Sequence, residues 1–275
     1  WIIRSGLHLL SYISMSSAGR WALRLFAKPR RGRLNTKDRQ FLSDARWESV
    51  QCKDLVVRYY IWENTDLKGP VVLLAHGWES NTARWRSLIR HIKPHSRKII
   101  ALDAPAHGDS EGEVFSAVVY AEFMAAVLQK EPSDLIIGHS AGGMALTFLL
   151  YDHPVASIKK VALLGTPYNL ESILQEYARY IGYSKRISEA MYQFIERHFG
   201  YPVSHYSVEE MAKSMNIPCL IMHDVEDRTT SIEGARRIHR NWKNSVLIET
   251  NGLGHGLQGN KVYTTVSKWL QEDKA

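Results

Sequence analysis

An α/β architecture built on a mostly parallel, doubly wound sheet is what this 275-residue sequence predicts. Three observations carry that expectation. Short continuous apolar runs recur along the chain, as in Val71–Ala75, Lys98–Leu102, Asp134–Ile137, Lys160–Leu164, Pro218–Met222 and Ser245–Ile248. Consecutive rather than alternating apolar residues suit strands covered on both faces. Segments of helical character lie between most of them, including Arg84–Ile92, Ala117–Lys130, Met144–Tyr151 and Ile232–Trp242. Strands alternating with helices imply parallel pairing with helices on both sides of the sheet. The third observation is Gly138-His139-Ser140-Ala141-Gly142, one serine held between glycines where an apolar strand run gives way to a helical one.

Residues 1–34 form a basic amphipathic segment. They carry Arg4, Arg20, Arg24, Lys28, Arg30, Arg31 and Arg33 and no acid, leaving 28 basic residues against 28 acidic ones in the remainder. The net charge of +7 therefore belongs to one segment, and a nucleic-acid-binding face on the main domain has no support. Arg20, Arg24 and Lys28 recur every fourth residue, opposite Leu23 and Phe26, as on a surface helix. Two readings stay open for residues 1–28: peripheral contact with an anionic membrane, or a helix packed on the protein's own flank. No apolar stretch there reaches the roughly 20 residues a bilayer span needs. The chain begins at Trp1 rather than Met, which leaves an upstream targeting segment open. Pro29-Arg30-Arg31-Gly32-Arg33 reads as a linker.

Strand signals begin near residue 47, with Leu55–Trp62 rich in β-branched and aromatic residues and Asn64-Thr65-Asp66 closing it as a turn. The core is expected over residues 47–167 and 216–275. Residues 168–215 depart from the alternation. Leu170, Ile173, Leu174, Tyr177 and Ile181 have helical spacing, as do Ile187, Met191, Phe194, Ile195 and His198, with Gly182 and Gly200 as stops. A short third helix should follow Ser207, with Glu210 completing a capping box. This is read as a helical cap over the carboxyl ends of the strands. Its aromatic residues, Tyr177 and Tyr192 foremost, with Tyr180, Tyr183, Phe194 and Tyr201, are candidates to line an apolar pocket.

Cys52 and Cys219 stand far apart beside strand-like runs, as buried thiols in a reducing, cytoplasmic setting would. No metal-ligand spacing is present, and neither metal nor cofactor is expected.

The chemistry starts from Ser140. A serine hydroxyl attacks well only if a base takes its proton and an acid holds that base. His255 lies in Gly252-Leu253-Gly254-His255-Gly256 after the last strand run, and Asp227 follows Leu220–Met222 in His223-Asp224-Val225-Glu226-Asp227. Asp224 and Glu226 compete for the acid role. The resulting chain order is Ser, Asp, His.

Four motifs in order now resemble a known family: His76-Gly77-Trp78, Asp103-Ala104-Pro105-Ala106-His107-Gly108-Asp109-Ser110, Gly138-His139-Ser140-Ala141-Gly142, and the Asp227–His255 pair. Over about residues 50–272 the chain is similar to the α/β-hydrolase superfamily, in particular to its serine esterases and lipases with a helical cap. The resemblance implies Ser140 as nucleophile, His255 as general base, and Asp227, four residues after the strand-end His223, as the acid. It implies an oxyanion hole from the N–H groups of Ala141 and Trp78, the Trp78 indole also walling the acyl pocket. Asp103 and His107 belong by the same resemblance to a structural turn, and His139 to packing at the elbow. Two positions depart from the family pattern, Ala106 and Asp224 standing where glycine is usual.

The expected activity is hydrolysis of a carboxylic ester with an apolar acyl or aryl group through an acyl-enzyme on Ser140. The same residues would also serve thioester or C–C bond hydrolysis, acyl transfer or cofactor-free perhydrolysis. A non-catalytic binding protein on the same fold is the alternative from a different class.

Overall fold

The computed structural model describes residues 2–272. Expectations for residue 1 and for residues 273–275 lie outside the described residues.

Eight strands form one sheet: β1 (Arg46–Cys52), β2 (Leu55–Glu63), β3 (Val71–Ala75), β4 (Lys98–Leu102), β5 (Leu135–His139), β6 (Lys160–Leu164), β7 (Cys219–Asp224) and β8 (Ser245–Thr250). Their spatial order is β1-β2-β4-β3-β5-β6-β7-β8. β1 and β2 make an antiparallel hairpin, and β2 runs antiparallel to β4. Every pair from β4 to β8 is parallel. Lys53, at φ 52°, takes the left-handed conformation that a two-residue hairpin turn requires.

Strand residues alternate between two cores, the period of 2 expected of a sheet covered on both faces. Leu73, Ile100, Ile136, Val161 and Ile221 face one core, which also takes in Phe123 and Met124 of α5 (Ala117–Lys130), Leu146 of α6 (Ala141–Asp152) and Ile238 of α10 (Ile232–Asn241). Val72, Leu74, Ile99, Ile137 and Leu220 face the other, with Leu88 and Ile92 of α4 (Arg86–Ile92) and Val266 and Trp269 of α11 (Asn260–Gln271). The doubly wound expectation holds.

The N-terminal segment differs from a single surface helix. It forms α1 (Ile2–Ile13) and α2 (Met15–Ala27), separated at Ser14, whose side chain accepts the Ser17 N–H and caps α2. Leu7, Ala18 and Ala22 are buried in the first core. Gly19 lies so close to α8 (Lys185–Phe199) that a Cβ on it would stand 2.6 Å from the carbonyl carbon of Ala190. Lys28 falls past the end of α2, so only Arg20 and Arg24 share its outer face. The supposed linker is tied down as well: the Arg33 guanidinium donates to the carbonyls of Gly108 and Ser110. A short α3 (Thr36–Leu42) follows, with Asn35 and Asp38 in a reciprocal capping box that the sequence reading passed over.

Between β6 and β7 the chain forms α7 (Leu170–Ile181), α8 and the single-turn α9 (Val208–Met211). Gly182 and Gly200 close α7 and α8 in left-handed conformation, at φ 82° and 84°. Only half of the expected capping box at α9 forms. The Ser207 side chain accepts the Glu210 N–H, but the Glu210 carboxylate is drawn to Lys213 instead. Among the described residues, no helix is long and apolar enough to cross a membrane.

Candidate active site

The strand order reverses at β3: β4 lies on one side of it and β5 on the other. Loops leaving the carboxyl ends of β3 and β5 therefore part in opposite directions and leave a crevice, the usual ligand position in open α/β sheets. Ser140 stands at the end of β5 in that crevice, at φ 52° and ψ −121°, a region that non-glycine residues rarely adopt. Such strain is worth about 1–3 kcal/mol and persists only where the surroundings over-determine it. Here the over-determination is steric. A Cβ on Gly142 would stand 2.2 Å from the Ala75 carbonyl oxygen, and one on Gly138 would stand 2.6 Å from the Gly143 Cα. Only glycine on both sides lets β5 and α6 meet at this angle.

His255 reaches Ser140 from the loop after β8, its Nε2 lying 3.0 Å from Ser140 Oγ. Its Nδ1 lies 2.8 Å from Asp227 Oδ2. The loop is held from two sides: His139 Nε2 donates to the His255 carbonyl at 2.8 Å, and the Arg84 guanidinium donates to the Gly256 carbonyl at 2.9 Å. Of the three acids at and after the end of β7, the structure brings Asp227 to the histidine. Asp224, the last residue of β7, is spent on its surroundings, accepting from the Glu226 N–H, from the Thr250 hydroxyl at the end of β8 and from the Leu253 N–H in the loop beyond. Glu226 is exposed.

The Asp227 side chain is fully removed from solvent. Burial alone would push its carboxyl up, yet His223, His255 and Thr230 bond it and hold it well below the usual carboxylate range. Its Oδ1 accepts the N–H groups of Thr229 and Thr230 at 2.7 and 2.9 Å, and its Oδ2 accepts the Thr230 hydroxyl at 2.7 Å. Thr230 was not foreseen in the sequence. An Asp followed three residues later by Thr at the start of a helix resembles an ordinary turn, and nothing local tells that the hydroxyl will face a histidine 25 residues onward.

Gly77 and Trp78 follow β3. A Cβ on Gly77 would stand 2.8 Å from Ser140 Cβ, so the β3 loop backbone lies against the serine. Ala141 is the first residue of α6, and its N–H has no intrahelical acceptor. His139, next to Ser140, turns its ring toward the His255 loop; burial keeps its imidazole well below the ordinary value of 6.5. Asp103, His76 and His107 join in a buried turn behind the crevice. His76 Nε2 accepts the Ala104 N–H, His107 Nε2 accepts the Glu79 N–H, and Asp103 accepts those of Thr82 and Asp109.

Ser140 opens onto a cavity of about 540 Å³. Its wall is mainly apolar: Phe115 from the loop after β4, Met144 and Phe148 from α6, and Leu170 and Ile173 from α7 are representative. Phe194 lines it as expected, but Tyr177 and Tyr192 do not. Tyr177 instead packs edge-on against Phe26, ring centroids 5.1 Å apart, behind the wall. Tyr177 shares a face of α7 with Leu170 and Ile173 but lies further along the helix, and spacing alone did not say how far along that face the cavity extends. The unforeseen contribution is from α2, whose Leu23, Phe26 and Ala27 line the cavity while Arg20 and Arg24 edge it. Trp78 lines it too, stacked on Phe26 at 6.0 Å.

Comparison with known proteins agrees with this architecture. The alpha/beta hydrolase fold family profile matches residues 70–209, just over half of the chain. The chain belongs to the alpha/beta hydrolase fold family. A second profile of that fold, described as TAP-like protein, matches residues 198–274. A pimeloyl-[acyl-carrier protein] methyl ester esterase of Vibrio vulnificus (strain YJ016) is 30% identical over 107 residues, covering 38% of this chain and 40% of the relative. That of Pectobacterium carotovorum subsp. carotovorum (strain PC1) is 31% identical over 105 residues, 38% of each chain. The matched stretch thus spans about two fifths of these relatives. Among solved structures, the esterase RhEst1 from Rhodococcus sp. ECU1013 superposes with a TM-score of 0.62 at 17% identity, over 82% of this chain and 98% of the other. At that identity the likeness bears on the fold of this family member alone.

Proposed function

We propose that the protein is a serine hydrolase that cleaves carboxylic esters with an apolar acyl or aryl group. The observation that carries this reading is the alignment of Ser140 Oγ, His255 and Asp227 within hydrogen-bond reach at the floor of an apolar cavity. His255 Nε2 takes the proton as Ser140 Oγ attacks the ester carbonyl. Asp227, held ionised by its donors, fixes the Nδ1–H tautomer and stabilises the imidazolium. The carbonyl oxygen becomes an oxyanion received by the N–H groups of Ala141 and Trp78, each such donor worth about 3 kcal/mol. His255 then protonates the leaving alcohol, and water attacks the acyl-enzyme by the reverse sequence, restoring the serine. Helices α7 and α8 act as a cap over the acyl pocket, with α2 as its third wall. The names of the partial relatives, both methyl ester esterases, support an ester over other acyl bonds.

A fluorophosphonate probe tests the nucleophile. The folded parent should label and Ser140→Ala should not; an unlabelled folded parent refutes the hydrolase and favours a binding protein. p-Nitrophenyl esters of increasing acyl length then test the pocket, and indifference to length would remove the case for an apolar acyl group.

A further inference from the structure

The side of α1 that faces away from the protein carries large apolar residues of its own. Leu7 is 1% exposed and Leu10 packs beside it against the core, whereas Leu9, Tyr12 and Ile13 on the opposite side are 67%, 88% and 79% exposed. One exposed leucine means little, but neighbouring large apolar residues on one helix make a patch. Gly6, Leu9 and Ile13 share a face at i, i+3 and i+7, and the patch continues onto α2 there: the Trp21 ring lies 3.9 Å from where a Cβ on Gly6 would stand and is 40% exposed.

Charge says what covers it. Residues 1–34 hold seven basic side chains and no acid. Arg4, Arg20, Lys28 and Arg31 are exposed and make no ion pair among the described residues. An apolar stripe with an indole at its edge, on a segment that carries exposed unpaired cations and no acid, is complementary to an anionic bilayer surface, where the rings and alkyl stems enter the headgroup layer and the charges meet phosphates. The same helix α2 carries Leu23, Phe26 and Ala27 on the cavity wall.

We propose that α1 and α2 dock the protein on an anionic lipid surface and that α2 passes acyl chains from that surface into the cavity. The second step rests on the ester-hydrolase reading; the docking does not.

The full chain is sedimented with phosphatidylcholine vesicles with and without phosphatidylglycerol, beside the triple variant Leu9→Ser/Tyr12→Ser/Ile13→Ser. These positions are exposed, and an unchanged Tm establishes that the variant folds. The parent should bind the anionic vesicles about tenfold or more tightly than the neutral ones, and the variant should lose about tenfold of that binding. Its hydrolysis of soluble p-nitrophenyl butyrate should match the parent's, while its hydrolysis of a long-chain ester embedded in the vesicles should drop. Failure of the parent to bind, or equal binding by parent and variant, overturns the docking. A parent that is dimeric by light scattering beside a monomeric variant overturns it in favour of an interface between two copies. A parent that binds vesicles but hydrolyses no ester supports the docking and refutes the ester reading.

Discussion

Two clusters at the carboxyl edge of the sheet use the same residue types and are wired in opposite ways. In the turn behind the crevice, His76 and His107 each turn Nδ1–H to a backbone carbonyl, of Gly77 and Pro105, and fill Nε2 with a backbone N–H. Both ring nitrogens are consumed, and burial holds both imidazoles below 6.5. At Ser140, His255 has Nδ1 against a carboxylate and Nε2 against a hydroxyl that faces an apolar cavity. Asp103 likewise serves backbone N–H groups, whereas Asp227 serves the Thr229 and Thr230 N–H groups with one oxygen and the His255 imidazole with the other. The difference teaches that a histidine beside an aspartate is not yet a catalyst. What counts is whether one ring nitrogen is left facing a proton that chemistry can move.

The largest expected effect separates the clusters outright. Ser140→Ala should lower kcat on an activated ester by about 10⁶-fold, as removal of a serine nucleophile does elsewhere. Its Tm should stay close to the parent's, because the lost hydroxyl is not a structural bond of the elbow. The next test sets the two aspartates side by side. Asp227→Asn should lower kcat by about 10⁴-fold, because an amide supports the wrong imidazole tautomer. Asp103→Asn should instead lower Tm through a disturbed buried acceptor, a cost of about 1–3 kcal/mol, and leave kcat within about tenfold. Equal kinetic losses in the two would erase the distinction.

The serine elbow and the doubly wound sheet were legible because each is local, whereas the choice of Asp227 over Asp224 and Glu226 rested on the family resemblance. Glycines at 138 and 142 and five-residue apolar runs declare themselves without knowledge of the rest of the chain. The wall of the cavity was not legible. Phe26 reaches it from α2, 114 positions before Ser140, only because Gly19 lets that helix settle on α8. Tyr177 has the right spacing and the right side of α7, but lies further along the helix, where it meets Phe26 instead of the cavity. Sequence periodicity gives a face, while its neighbour is decided by packing between distant segments.

Thr230 sharpens the comparison at the next level down. Its hydroxyl lies 2.7 Å from Asp227 Oδ2 and 3.2 Å from His255 Nδ1, so it bonds the carboxylate at the same oxygen the imidazole uses. Thr230→Val keeps the shape and removes that donor. Loss of one hydrogen bond to a charged group costs about 1.5–3 kcal/mol, which corresponds to a fall in kcat of about 10- to 100-fold if the bond positions the pair. A fall in Tm with kcat unchanged would return Thr230 to a purely structural role.

The smallest effect is a slope. His76, His107 and His139 are held below the ordinary value of 6.5, in each case first by burial. The unfolded chain therefore takes up protons at these positions as the pH falls below 6.5, while the folded chain does not. Their contribution is fully present above pH 6.5 and is lost progressively toward acid, at up to about 1.4 kcal/mol per pH unit for each residue. Asp227 does not contribute in this window: its carboxyl is depressed, so its share of stability begins to go only as the pH falls past the ordinary aspartate value of 3.8. Urea midpoints taken from pH 7 down to pH 5 should fall steadily in the parent. His107→Gln, stable or not in absolute terms, should fall less steeply, since glutamine gains no proton on unfolding. An unaltered slope would mean that His107 is protonated in the folded turn, its Nε2 unable to accept the Glu79 N–H, and the contrast between a spent imidazole and an available one would fail at its simplest point.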